Sequence, residues 1–163
     1  MSLINNHYFI TLFNVADKMG LDLDNLANEL GIKRASLVEE SLWVNDNRLA
    51  QLFNILWRES GDESMGLTDE PCAIGTSAFI FEHMLSADTL GELYRRGQKA
   101  CSLIPSVNGI KFQVKKENAL IHIREGYVGA KDPQRFLIEF ITVVWHRFAC
   151  WATDYYIPLN NVF

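Results

Sequence analysis

The histidines and cysteines are the residues of this chain best suited to metal or nucleophilic chemistry. His146 and Cys150 stand four positions apart, a spacing that brings two side chains together on one helix face and can hold a soft metal ion. Structural zinc wants four ligands, and the further candidates are His122 and His83. A half-buried imidazole beside a small buried thiol fits the same pair without any metal. There is no glycine-rich phosphate loop, no Gly-x-Ser-x-Gly and no His-Glu-x-x-His. No nucleophile, base and acid can be assembled, so no catalytic residue, no metal and no cofactor is expected.

A second constellation is suited to binding. His122 and Arg124 share one phase of an extended stretch. Arg135, Glu139, Thr142, His146 and Thr153 form a narrow polar stripe on an otherwise apolar helix. Tyr127, Phe136 and Trp145 flank both elements. Small-molecule sites are apolar walls with a few convergent polar groups. The expected ligand site is therefore His122, Arg124, Tyr127, Phe136, Glu139, Thr142, Trp145 and His146, between the extended stretch and the helix. In the competing reading these aromatics, with Phe79, Phe81 and Trp151, are plain core and the polar stripe faces water.

The elements that must position these groups are legible in order. Tyr8, Phe9, Leu12, Phe13, Ala16 and Met19 make one face of a helix over 7–19, stopped by Gly20. Asp22 caps a second helix carrying Leu23, Leu26, Ala27 and Leu30, ended by Gly31. A short helical turn over 32–40 follows, with Leu37 and Val38. Asn45 caps a helix to about Glu59, with Leu49, Leu52, Phe53, Leu56 and Trp57 buried and Gly61 as terminator. Past Pro71 and Gly75 comes an apolar helix whose expected buried members are Ala78, Phe79, Met84 and Leu85. Thr89-Leu90-Gly91-Glu92 reads as a capping box opening the next helix, which buries Leu90, Leu93, Tyr94, Ala100 and Cys101. Gly97 and Ala100 leave room there for a close neighbour.

From Ile110 the period becomes two. Ile110, Phe112 and Val114 alternate with charged and polar residues, and Ala119 to Arg124 alternates likewise after a polar turn at 116–118. This is an antiparallel hairpin, with Gly126 and Gly129 in its exit loop. Asp132 as cap and Pro133 as first residue start the longest helix, running to about Asp154, roughly 33 Å. A helix so apolar around its circumference is expected to be mostly buried and central. Tyr155 to Phe163 reads as a linker. The fold class is α+β and helix-rich, with a small antiparallel sheet packed on a long central helix. The chain reads as one domain, with 1–64 a helical N-terminal part and 65–163 an α+β part.

The 163 residues carry a net charge of −5, with 48% hydrophobic and 21% charged residues. An acidic chain with scattered basic residues is a poor nucleic-acid binder by itself. The early glycine-ended helices therefore read as a structural subdomain and not as a DNA-reading pair. Three cysteines without Cys-x-x-Cys read as reduced thiols. No signal peptide and no membrane span is legible, and a cytoplasmic location is expected.

Order and spacing also carry a resemblance. Gly20-Leu21 through Gly31-Ile32, the helix from Arg48 with its Gly61-Asp62 exit to Gly66-Leu67, the Gly75-led apolar segment, and Ser86-x-x-Thr89-Leu90-x-Glu92 form the pattern. It resembles the N-terminal regulatory domain of AraC-type bacterial transcription regulators, in the arabinose-binding-domain subgroup that is not of the cupin type. The resemblance spans almost the whole chain. It implies an unidentified small-molecule effector, a homodimer, and DNA binding only through a C-terminal helix-turn-helix domain absent from this chain. It also implies that the chain is an N-terminal fragment. Two other readings remain open: a small metal- or haem-binding protein or enzyme using His146 and Cys150, and a dimerisation module without ligand.

Overall fold

The hydrophobic periodicities become six α-helices and two antiparallel strand pairs in the computed structural model, which describes residues 3–35, 43–116, 118–124, 127, 131–132 and 134–162. The fold is α+β and helix-rich. The chain divides into two compact units, Met1–Gly66 and Leu67–Phe163.

In the first unit β1 (Leu3–Asn5) leads straight into α1 (Asn6–Lys18), followed by α2 (Leu23–Glu29), β2 (Trp43–Asn45) and α3 (Asp46–Ser60). Phe9, Leu12, Phe13 and Ala16 of α1 are buried, as their spacing predicts, with Leu26 and Ala27 of α2, its C-cap Leu30, and Leu52, Phe53 and Leu56 of α3. The Asp22 carboxylate accepts from the amides of Asp24 and Asn25, and the Asn45 side chain accepts from Asn47 N, so both expected caps are present. α3 closes on Gly61 in the left-handed conformation, whose amide bonds Trp57 O. The buried Asp62 then accepts from Ser64 N, Ser64 Oγ and Gly66 N, which folds the exit loop onto one carboxylate. The pairing of β1 with β2, Leu3 opposite Asn45, was not legible, because three-residue strands have too little sequence to show a period. Leu37 and Val38 of the expected helical turn lie outside the described residues.

The second unit runs α4 (Thr76–Leu85), α5 (Leu90–Leu103), a 3-10 turn at Pro105–Val107, β3 (Ile110–Val114), β4 (Ala119–Ile123) and α6 (Phe136–Thr153). α4 buries Ile80 and Met84. Ala78, Phe79 and Leu85 face outward instead, with Phe79 62% exposed. The helix is apolar on nearly every side, so periodicity alone could not choose its inner face; the neighbour α5 chooses it. There Gly97 is buried, and a Cβ on it would lie 2.9 Å from the Met84 thioether. The missing side chain at Gly97 is what lets Met84 settle against α5.

Thr89 caps α5, its hydroxyl accepting from Glu92 N at 3.2 Å. The return arm of the box differs from expectation: the Glu92 carboxylate accepts from Asp88 N and pairs with Arg96 at 2.6 Å, and not with the Thr89 amide. Arg96 also donates to Ser86 Oγ, tying the turn to the helix it opens. A guanidinium this close holds the Glu92 carboxyl below its usual range.

The hairpin is antiparallel, as expected, and its register sets Phe112 opposite Ile121 and Lys111 opposite His122. Ile110 and Phe112 are buried. The amide of Phe112 donates to Gln98 Oε1 at 2.6 Å, joining the strand to α5. Gly109 sits under the Tyr127 ring, where an added Cβ would lie 2.2 Å from a ring atom. The buried Tyr127 hydroxyl donates to Ser106 O at 2.6 Å.

α6 differs from expectation at its start and in its burial. It begins at Phe136, after Arg135 in the left-handed conformation at φ 59°. Asp132 still serves the helix start: its buried carboxylate accepts from Phe136 N and Leu137 N. It does so from four and five residues upstream, and not as the flanking residue; Pro133 lies outside the described residues, as do Gly126 and Gly129. Only Phe136, Leu137, Trp145 and Ala149 of α6 are buried. The other apolar side chains are half-buried or exposed, because α6 meets its neighbours through rings. Phe81 packs on Trp145 and Phe148 at centroid distances of 5.1 and 4.3 Å, and Phe112 meets Trp145 at 4.8 Å. Rings of this size keep helix axes apart and cover one side only.

Candidate functional site

Antiparallel partners share a face of the sheet, so the register decides where the hairpin residues of the expected site lie. Phe112 and Ile121 face Trp145, whereas His122 stands with Lys111 on the opposite, exposed side. Arg124, one residue past the strand, is also exposed, and its guanidinium lies 3.4 Å from Asn108 Oδ1. His122 and Arg124 therefore make an outward basic face with Lys111. The structure does not bring them together with α6.

Of the aromatics, Tyr127 is occupied with Gly109 and Ser106, Phe136 is buried and stacks on Phe140, and Trp145 sits between Phe81 and Phe112. These three are packed within the fold. Glu139 is exposed, while Thr142 and His146 are half-buried along the same side of α6. Thr142 donates its hydroxyl to Ile138 O at 2.8 Å.

His146 is the most connected polar group of this side. After Asp154 turns the chain in the left-handed conformation, residues 155–157 fold back onto the helix. His146 Nε2 is 2.8 Å from Ile157 O, so that nitrogen carries the proton and donates. Cys150 Sγ lies 3.5 Å from the same nitrogen and accepts from Ile157 N at 3.3 Å. Tyr156 meets the imidazole edge-on at 5.7 Å. The stretch that reads as a linker is thus a strap held by His146 and Cys150. Its sequence signal was weak, because the holding bonds come from the backbone of Ile157, which any residue supplies. Among the described residues no three histidine, cysteine or acidic side chains lie close enough to hold a metal ion.

Cys72 and Cys101 are buried elsewhere in this unit, and burial, with Cys72 nearby, pushes the Cys101 thiol up to about 12. Shallow open depressions occur in the first unit, between α2 and α3, lined by Glu29, Leu30, Gln51, Asn54 and Ile55. Among the described residues no helix is long and apolar enough to cross a membrane.

Residues 20–163 match the family described as the arabinose-binding domain of AraC transcription regulator, N-terminal. The chain belongs to this family. It is an AraC-type N-terminal effector-binding domain, and the match begins at the glycine that ends α1. No curated protein and no solved structure matches the chain. Within the AraC-type domain the match takes in α2 to α6, the hairpin and the strap.

Proposed function

We propose that this chain acts as one regulatory domain that senses a small molecule and self-associates within a cytoplasmic bacterial AraC-type regulator, with no catalytic activity of its own. DNA is contacted by a separate helix-turn-helix part of the full-length protein. The observation that carries this reading is the family match over residues 20–163. The net charge of −5 supports it, since phosphates repel an acidic surface. In this reading the effector contacts the half-exposed side of α6 at Thr142 and His146, beside Tyr156 of the strap. That side offers a hydroxyl, an imidazole and an aromatic edge within one stretch of surface.

The experiment is a thermal melt of the chain over a metabolite panel that begins with arabinose and other sugars. A ligand at a hundred times its Kd adds about 2.7 kcal/mol, and the midpoint then climbs with log concentration. T142A and H146A should abolish that climb. A panel that leaves the midpoint unmoved throughout would overturn the sensing role.

A further inference from the structure

Among the described residues the second unit buries two tyrosines, Tyr94 and Tyr127, and they are served differently. The Tyr127 hydroxyl donates to Ser106 O at 2.6 Å. Tyr94 of α5 stacks its ring on Phe112 at 5.7 Å, but its hydroxyl has no hydrogen-bond partner among the described residues. A buried polar group left unpaired costs free energy, and folded proteins keep few of them. Phe112 in turn meets Trp145, so one ring separates Tyr94 from the stretch of α6 that leads to His146 and Cys150. Burial pushes the Tyr94 phenol up, and the nearby Cys150 adds to the shift.

The strap covers His146 and Cys150, and little holds it there. Those two side chains bond the main chain of Ile157, Tyr156 meets the imidazole edge-on, and Asn160 donates to Asn118 Oδ1 at the hairpin turn at 2.9 Å. Tyr155, Tyr156, Leu159 and Val162 are each more than half exposed. A segment with few bonds and little buried apolar surface opens at low cost while the core stays folded. Lifting it frees the Nε2 proton of His146 and the sulfur of half-buried Cys150. With the Tyr94 hydroxyl these make an imidazole N–H, a phenol O–H and a thiol, and no carboxylate, ammonium or guanidinium is among them. Such a set suits the acceptor oxygens of an uncharged molecule.

We infer that the strap is a lid over a binding site for a small uncharged molecule bearing hydroxyl or carbonyl oxygens, which accept from Tyr94 and His146 once the strap lifts. The inference rests on the sensing role proposed above and adds the lid, the buried donor and the ligand class. Iodoacetamide labelling followed by mass spectrometry reads the lid at Cys150, with buried Cys72 and Cys101 as standards in the same chain. Cys150 should react about tenfold or more faster than Cys72, and about tenfold or more slower than in the chain unfolded by denaturant. I157P removes the N–H that reaches the sulfur and should speed the reaction severalfold. A Cys150 as slow as Cys72, as fast as in the unfolded chain, or unaffected by I157P would overturn the lid. Thermal melts read the site. Y94F loses only the hydroxyl and should melt at or above the parent midpoint, since nothing in the fold bonds that group. A midpoint several degrees lower would show the hydroxyl already paired and overturn its role. The uncharged sugars and amides of the panel, beginning with arabinose, are the probes, with carboxylates and amines beside them. Y94F should bind the stabilising compound about tenfold more weakly than the parent, while Cys150 labelling without compound keeps the parent rate. Undiminished binding to Y94F would overturn the site and leave sensing intact, and stabilisation by charged compounds alone would overturn the ligand class. A parent unmoved by every compound would overturn sensing and the ligand together, and the labelling would still decide the lid.

Discussion

At the seam of α4 and α5, Met84 has no exposed surface and lies against the bare Cα of Gly97. On the outer ridge of α6, Val143 and Trp151 keep more than half of theirs. Both regions are rich in apolar side chains, and the difference lies in what approaches them. A glycine lets a neighbouring element close to contact distance, and the seam seals. α6 is held off by Phe81, Phe112 and Trp145, so a single side of it is covered. Apolar composition makes burial favourable, but the shape of the partner decides which face receives it.

The sharpest contrast between sealed and open regions is chemical. Reaction of a thiol follows its thiolate fraction, which for Cys101, with a thiol pushed up to about 12, is about one in ten thousand at pH 8. An unfolded thiol at about 8.5 is thousands of times richer in thiolate. Alkylation of Cys101, followed by mass spectrometry, should therefore accelerate by at least about a thousandfold when the chain is unfolded in denaturant. Comparable rates in the two states would mean that this side of the unit is not sealed. The same raised value makes stability fall at alkaline pH: the contribution is complete below the unfolded thiol value and is lost as pH rises toward about 12.

Next in size is Gly109. An alanine there would put its Cβ 2.2 Å from the Tyr127 ring, displacing the ring and its bond to Ser106 O. G109A should cost about 3 kcal/mol in equilibrium denaturation, the upper range for overpacking. Its combination with Y127A should cost much less than the sum, since the two act on one contact. A smaller effect belongs to the Thr89 cap: T89A should lower stability by about 1 kcal/mol, and an unchanged denaturation midpoint would show that the bond to Glu92 N contributes nothing.

Element types were largely legible from the sequence, and contacts across space were not. Asp22, Asn45 and Thr89 announced their helices because a cap is local: donor and acceptor lie within three residues. The hairpin was equally plain, since its period of two holds on both strands. The inner face of α4 was not, because Phe79 and Leu85 are as apolar as Ile80 and Met84 and only α5 distinguishes them. The start of α6 slipped for a related reason. Asp132 looks like a flanking cap, but its carboxylate reaches the same helix start across the left-handed turn at Arg135.

The expected site shows the same limit. The hairpin that carries His122 meets the helix of His146 through Phe112 of β3 and Trp145, but the sheet has two faces and His122 is on the other one. Alternation alone puts His122 on the face away from Ile121 and Ile123; what it lacks is which face α6 covers. The strap left only a weak signal, because the atoms that His146 and Cys150 hold are the main-chain groups of Ile157.

The central claim is that α6 turns one face to its own core and leaves the opposite face outside it. The most direct measurement is guanidinium denaturation of V143R and W145A beside the parent, at concentrations low enough to keep all three monomeric. Trp145 is buried between Phe81 and Phe112, so W145A should cost about 3 kcal/mol or more. Val143 faces outward, and V143R should stay within about 0.5 kcal/mol of the parent. A V143R chain destabilised as much as W145A would contradict the claim, because the ridge would then belong to the core.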